Sequence, residues 1–229
     1  MAFAHSPKIV TDNLVFYVDA SNPKSYVSGS TIWRDLSGNG INAGLSGSMD
    51  TVFSGTNAQK HFALDRSLGT YASAPGYSVL TNATTDEVTI CVLAKIVTFG
   101  SYFGIVQFGA SNVSMYVCSD GGFSIQSNGD NAGICPIGTQ INDDQWHYLV
   151  TSYKEGVEYK VYLDGELKHT EPTTDTEPAS LDPIEIGRRN SSNSEAIGGD
   201  LAVVKIYNRA LSTSEVQQNY NALKGRFGL

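Results

Sequence analysis

The sequence predicts an all-β fold: a two-sheet antiparallel sandwich with one short C-terminal helix. Three observations carry that reading. Apolar residues alternate along short runs, most clearly at Val88, Ile90, Val92, Ala94 and Ile96, which is the period of a strand. Turn residues punctuate the chain at Asn22-Pro23, Asp120-Gly121-Gly122, Asn128-Gly129 and Asp164-Gly165, at the roughly eight-to-twelve-residue spacing of sandwiches. Helical spacing is found at the C-terminal end, where Val216, Tyr220, Leu223 and Phe227 form one apolar stripe.

In chain order, Leu14 to Asp19 reads as a first strand, apolar on both faces. A turn-rich stretch follows, through Ser28-Gly29-Ser30, Trp33 and Ser37-Gly38-Asn39-Gly40. Short strands are expected at Lys60 to Asp65 and Thr70 to Ser73, and a loop at Ala74-Pro75-Gly76-Tyr77. The run around Val88 to Ile96, with Cys91 and Leu93 on its other face, reads as a central strand. Tyr102 to Phe108, Val113 to Cys118, Gly122 to Ser127, Trp146 to Tyr153 and Val157 to His169 are further strands. Asp164-Gly165 inside the last is a two-residue hairpin signal. Leu181 to Gly187 leads through a polar loop to Leu201 to Tyr207, a β-branched run with one lysine that suits a strand buried on both faces. Ser212 and Glu215 then form a capping box, flanked by the hydrophobic staple pair Leu211 and Val216. No linker or internal repeat interrupts the pattern, so residues 1–229 are expected to form a single domain with its core at about 8–227.

The segment Gly199-Asp200-Leu201-Ala202-Val203-Val204-Lys205-Ile206-Tyr207-Asn208-Arg209-Ala210-Leu211-Ser212 resembles the closing segment of laminin-G-like, concanavalin-A-like jelly rolls. Leu14 to Asp19 with Ala20-Ser21-Asn22, Asp35 to Gly40, Trp146-His147 and Val161-Tyr162-Leu163-Asp164-Gly165 match in the same order. The resemblance implies a jelly-roll sandwich whose first and last strands pair. It does not fix a function, because this fold hosts lectins, enzymes and structural modules alike.

Fifteen Lys and Arg against 23 Asp and Glu give a net charge of −8. No basic cluster exists, which argues against nucleic acid. The N-terminus lacks a basic start and an apolar core, so no signal peptide is expected, and no apolar run suits membrane insertion. Cys91, Cys118 and Cys135 read as reduced, structural thiols, with a Cys118–Cys135 bond as the alternative.

Relatives of this type include glycosidases, whose chemistry needs two carboxylates across the sugar. The family's Glu-x-Asp-x-x-Glu run is absent, and Glu155 and Glu158 read as a solvated hairpin. His5, His61, His147 and His169 are scattered, and His147 is expected to pack or hydrogen-bond. No nucleophile elbow, zincin helix or phosphate loop is present. No cofactor is required. Calcium is the metal that the resemblance implies, with Asp19, Asn22, Asp35, Asn39 and Asp200 as ligands near the meeting point of the termini. The same residue types also make turns through side-chain to backbone bonds. Where relatives carry an acidic pair, this chain has Ala202 and Val203.

If Val106, Phe108, Met115, Val117, Phe123 and Ile125 face inward, alternation turns Gln107, Tyr116, Ser124 and Gln126 outward. That set forms a candidate sugar platform, with Asn112, Asn128 and Asp130 at its rim and Tyr71, Tyr77 and Tyr102 as loop alternatives. Glu166 to Pro178 reads as an exposed acidic loop.

The expected function is non-enzymatic. Lys205 to Ser212 and Gln217 to Gly228 look like versions found in tailed-phage structural proteins, which implies a virion protein made in the host cytoplasm. Its partners would be other capsid or tail proteins, surface glycans, or further copies of the chain. With no shaft preceding Leu14, a capsid- or tail-docked decoration is favoured over a fibre head. The rival classes are a lectin-like adhesin or receptor-binding protein, and a glycoside hydrolase.

Overall fold

Alternation and turn chemistry produce fifteen strands and one α-helix among the described residues. In chain order these are β1 (Leu14–Asp19), β2 (Ile32–Trp33), β3 (Ala43–Ser46), β4 (Phe53–Ser54), β5 (His61–Leu64), β6 (Tyr71–Ala74), β7 (Glu87–Ile96), β8 (Phe103–Phe108), β9 (Val113–Val117), β10 (Phe123–Ser127), β11 (His147–Lys154), β12 (Glu158–Leu163), β13 (Glu166–Pro172), β14 (Ile184–Ile186), β15 (Gly199–Tyr207) and α1 (Thr213–Phe227). The structure, a computed structural model, describes residues 8–46, 49, 53–56, 59–75, 87–98, 102–108, 113–127, 135–136, 138–174, 183–189 and 191–229.

The first sheet runs β13-β12-β11-β7-β15-β5-β4, and the second runs β10-β9-β8-β14-β6-β3-β2. All pairings between named strands are antiparallel. β15 is hydrogen-bonded on both edges: β7 lies along one, while β5 takes the N-terminal half of the other and β1 the C-terminal half. The expected pairing of first and last strands is therefore present. At the β12–β13 hairpin, Asp164 (φ 52°) and Gly165 (φ 81°) both adopt left-handed conformations, as a type I′ turn requires.

Two apolar layers result. Phe16, Phe62, Ile90, Val92, Leu149, Val204 and Ile206 pack between the sheets against Val106, Met115, Phe123 and Ile186. Leu93, Tyr148, Val203 and Tyr207, on the other face of the first sheet, pack against Val216, Leu223 and Phe227 of α1. That second layer explains why β15 is apolar throughout. The helix starts at the predicted capping box, Ser212 with Glu215. Arg209 binds Glu215 through two hydrogen bonds of 2.9 and 2.6 Å and, with the Ser212 bonds, pulls the Glu215 carboxyl down to about 2. Farther along, Arg226 donates to both oxygens of the buried Asp19 at 2.7 and 2.9 Å. Asn219 accepts from the Val10 amide and donates to the Tyr207 hydroxyl, which donates to the Val10 carbonyl.

Three expectations change. The turn-rich stretch after β1 also contributes the short strands β2, β3 and β4, which are too short to show a period. Glu166 to Pro172 is an edge strand and not a loop, and its charged residues suit an edge that must not pair with another chain; Asp175 and Glu177 lie outside the described residues. Cys118 and Cys135 form a disulfide closing a separation of 17 residues, so only Cys91 is free, and it is buried.

Lys205, in the α1-facing layer, is fully buried. Its Nζ has no hydrogen-bond partner and stands 5.5 Å from the Tyr17 ring and 5.8 Å from the Tyr148 ring. Burial pulls its pKa from 10.5 down to about 8. The unfolded chain therefore binds the extra proton between these values, and this group makes stability rise with pH across that window. Burial pushes Cys91 up to about 11 and Tyr207 up as well; these groups have the opposite slope at higher pH.

Lys205→Met should accordingly raise stability at pH 7 by about 1–3 kcal/mol, because it replaces a buried unpaired charge with a similar apolar volume. Urea unfolding at pH 7 and pH 10 checks it: the gain should shrink at the higher pH, and a constant gain would refute the linkage. Reducing the disulfide should cost roughly 2–3 kcal/mol, the scale for a loop of this size, read as a lower denaturation midpoint with reductant.

Candidate functional site

Cross-strand register assembles one polar face on the second sheet. Gln126, Ser114, Gln107, Glu185 and Ser73 are successive register partners across β10, β9, β8, β14 and β6. Ser124, Tyr116 and Gly104 form the neighbouring row. Partners in register point to the same side of a sheet, and the apolar alternate residues of these strands fill the inter-sheet core.

The sequence therefore placed Gln107, Tyr116 and Gln126 on one face correctly. It did not anticipate their burial: Gln107 and Tyr116 are each 1% exposed and Gln126 is 9% exposed. The expectation of an open platform is corrected to that of a covered polar face. Alternation reports which side chains share a face and says nothing about what lies over it. Ser114 Oγ and Gln126 Oε1 are buried without hydrogen-bond partners. Asn112, Asn128 and Asp130, the proposed rim, and Tyr77 lie outside the described residues.

Glu185, which sequence reasoning missed, organises this face. Its Oε1 accepts from Arg188 Nε at 2.9 Å, from Arg188 Nη2 at 2.7 Å and from the Ser191 hydroxyl at 3.2 Å, while its Oε2 accepts from the Ser191 amide at 2.8 Å. These bonds fold the turn after β14 back over the sheet. Arg188 then lies over Tyr71, its guanidinium carbon 3.2 Å from the ring centroid. The next residue, Arg189, is placed over Tyr102 at 5.5 Å, and Tyr102 packs on Tyr116 at 5.2 Å between ring centroids. Gly104 permits this: a Cβ there would fall 2.5 Å from Arg189 Cβ and 2.7 Å from the Arg188 carbonyl oxygen. Tyr71, Arg188 and Tyr102 are half-buried and mark where the face meets solvent. An Arg–Glu motif three residues apart was the one available signal for this arrangement.

The implied calcium ligands do not converge. Asp35 is occupied by backbone donors: Oδ1 accepts from Tyr17 and Ser37, and Oδ2 from Gly40 and Ile41. Asp19 is held by Arg226. Asn22 accepts from the Lys24 amide, and Asn39 donates to the Leu14 and Val15 carbonyls. Asp200 pairs with Lys95 at 3.1 Å and lies 3.6 Å from His61. These residues serve as turn and strand clips and do not fit a calcium ion. Among the described residues, Cys118, Asp120 and Cys135 are the group of three metal-capable side chains found close together, and two of them are joined in the disulfide. His147 bonds Asp164 at 2.8 Å and Asp143 at 3.0 Å. Burial opposes its charge, but these bonds prevail and raise its pKa. It is a clamp on the β12–β13 hairpin, as expected of a histidine that hydrogen-bonds.

Residues 65–217, more than half of the chain, match the family described as the concanavalin A-like lectin/glucanases superfamily. No curated protein matches significantly. Among solved structures, the binding domain of Paraclostridial mosquitocidal protein 1 is 18% identical with a TM-score of 0.68, covering 93% of this chain and 52% of that one. The binding domain of botulinum neurotoxin DC in complex with rat synaptotagmin II is 11% identical with a TM-score of 0.69, at 93% and 52% coverage. Trypanosoma rangeli sialidase in complex with 2,3-difluorosialic acid is 15% identical with a TM-score of 0.66, at 95% and 34% coverage. The chain thus spans about half of the toxin domains and a third of the sialidase, and at these identities the likeness is one of fold. No described helix is long and apolar enough to cross a membrane.

Glu185→Gln should lower stability by about 2–3 kcal/mol, because it leaves Arg188 without its counter-charge in a largely buried place. Chemical denaturation measures this; a midpoint equal to that of the parent protein would show that Glu185 does not organise the face.

Proposed function

The chain belongs to the concanavalin A-like lectin/glucanases superfamily, and from that premise we propose that it is a non-enzymatic glycan-contact module borne on a tailed-phage particle. The observation that carries the contact reading is the polar face of the second sheet. Planar amides (Gln107, Gln126), hydroxyls (Ser114, Ser124) and aromatic rings (Tyr71, Tyr102, Tyr116) share that face, and the half-buried Tyr71, Tyr102 and Arg188 are the groups through which a ligand would meet it. Three of its buried polar atoms, Ser114 Oγ, Ser124 Oγ and Gln126 Oε1, lack a protein partner. Hydrogen-bonding groups beside stacking rings are what a saccharide, with polar edges and an apolar ring face, requires.

The non-enzymatic part rests on Glu185. A glycosidase needs a carboxyl free to give or take a proton at the glycosidic oxygen and a second across the sugar. Glu185 instead accepts from Arg188 and Ser191 through four bonds. The particle placement rests on the closing sequence, Lys205 to Ser212 and Gln217 to Gly228, as a decoration docked on capsid or tail. The Cys118–Cys135 bond suits a chain that meets an oxidising exterior, as a particle does after release.

A glycan array with purified protein tests the contact reading, with Tyr102→Ala, at the half-buried margin of the face, as the site variant and melting as the folding control. Specific signals that the variant loses, with no sugar released on prolonged incubation, are expected. Release of sugar that stops in Glu185→Gln would establish an enzyme. Labelling intact particles with antibody tests the placement, and particles free of label would refute it.

A further inference from the structure

We propose that His147 is a pH-sensitive latch: as the imidazolium it ties the turn at Asp143 to the β12–β13 hairpin at Asp164, and on losing a proton it releases that turn. The geometry dictates the charge state. Nδ1 stands 2.8 Å from Asp164 Oδ2, and Nε2 stands 3.0 Å from Asp143 Oδ1. An ionised carboxylate only accepts hydrogen bonds, and a neutral imidazole has a single N–H, so both bonds exist only while the ring carries two protons. Burial works against that charge, but the bonds to Asp164 and Asp143 outweigh it and lift the His147 pKa above its ordinary value of 6.5. The same bond to His147 draws the Asp143 carboxyl down.

The two ends of the latch are not held equally. Asp164 has further ties, since its Oδ1 accepts from the Tyr148 amide at 2.8 Å and its own amide donates to the Tyr148 carbonyl at 3.0 Å. The Asp143 side chain is 55% exposed. Among the described residues, the other ion pair of its turn joins Asp144 to Lys95 at 3.4 Å, with the Asp144 side chain 74% exposed. A pair so open to water holds little. The remaining charged groups at this end of the sheet are engaged elsewhere: Lys95 also pairs with Asp200, Glu166 pairs with Lys168, and Lys224 of α1 lies 5.5 Å over the Tyr220 ring. On β7, the register partner of His147 is the uncharged Ala94. Loss of the proton therefore leaves Nδ1–H on Asp164 and sets the Nε2 lone pair against the Asp143 carboxylate, which must swing away. Trp146 lies between that turn and β11, its ring centroid 4.7 Å from that of Phe227 and 5.4 Å from that of His61. A group whose pKa is raised on folding contributes stability that is complete below its unfolded value and is lost as pH rises through the folded one. The latch is thus closed in acid and opens above pH 6.5.

Nuclear magnetic resonance from about pH 5 to about pH 9, a span that brackets the histidine range, tests this. The His147 ring signals give the midpoint, and backbone order parameters give the mobility of Asp143, Asp144, Gln145 and Trp146. His147 should titrate above 6.5, and the order parameters of the turn should fall through that same midpoint. A midpoint at or below 6.5, order parameters that stay constant, or a fall that follows His61 instead would each overturn the latch. Asp143→Asn is the discriminating variant, at a side chain exposed enough to leave folding intact. An amide accepts from the charged ring and donates to the neutral one, so the turn should stay ordered across the whole range. The acid dissociation constant of His147 should meanwhile rise roughly threefold, the scale of one exposed ion pair. A turn that still loosens with pH in Asp143→Asn would refute the mechanism.

Discussion

β15 has neighbours on all four sides. β7 lies along one edge and β5 and β1 share the other, while the inter-sheet core presses on one face and α1 on the opposite face. A strand in that position must be apolar throughout, and its run from Leu201 to Tyr207 is, except for Lys205. The pairing with β1 brings the N-terminal strand to the C-terminal helix, and Asp19–Arg226 and the Val10–Asn219 bond fasten the two. Lys205 sits beneath that fastening beside the rings of Tyr17 and Tyr148, with no hydrogen-bond partner at its Nζ. Such faces attract a cation more weakly than a carboxylate does, so the closure of the fold carries a standing electrostatic cost at its own centre.

The second sheet solves a different problem. Only one of its faces packs on the inter-sheet core, yet the polar alternates are also withdrawn from water. Buried polar groups need partners, and Glu185 supplies them locally by drawing Arg188 and the Ser191 amide onto itself. That solution stops one residue short. Arg189 is carried into the same covered region by the turn, where its ion pair with Glu195 is long, at 3.9 Å, and its Nε makes no hydrogen bond. Ser114 and Gln126 are left in a similar condition on the neighbouring strands. Asp35, by contrast, is satisfied by four backbone donors, while Trp33, Tyr148, Thr151 and Lys205 keep unpartnered buried atoms elsewhere in the fold.

What the sequence made legible follows from what periodicity measures. It located β7 and β15, assigned Gln107 and Tyr116 to a shared face, and found the Ser212–Glu215 cap, because each is written in near-neighbour spacing. β2 and β4, of two residues each, carry no period. The burial of Tyr116 depends on Tyr102, fourteen positions away, and that contact has no signature in either segment. The acid-rich loops suggested a cation site because Asp and Asn are ligands in some folds and turn clips in others; only the positions of the amides around Asp35 and of Arg226 against Asp19 decide between them. Cysteine spacing likewise left the Cys118–Cys135 bond as an alternative.

The same positions bear on chemistry. Bond-breaking by carboxylates needs one that can hold a proton near neutral pH and another kept ionised, a division that environments create by pushing their pKa values apart. Four acids of the first sheet and its helix, the half-buried Glu87, Asp200 and Glu215 and the buried Asp19, are matched to cations: Lys154, Lys95, Arg209 and Arg226 respectively. For Glu87 and Glu215 the pairing moves the carboxyl downward, away from the range of a proton donor. Glu185 is ion-paired with Arg188 at 2.7 Å. Each of these five acids would have to break an ion pair before it could carry a proton to or from a bound molecule, so the arrangement holds the side chains of the fold in place.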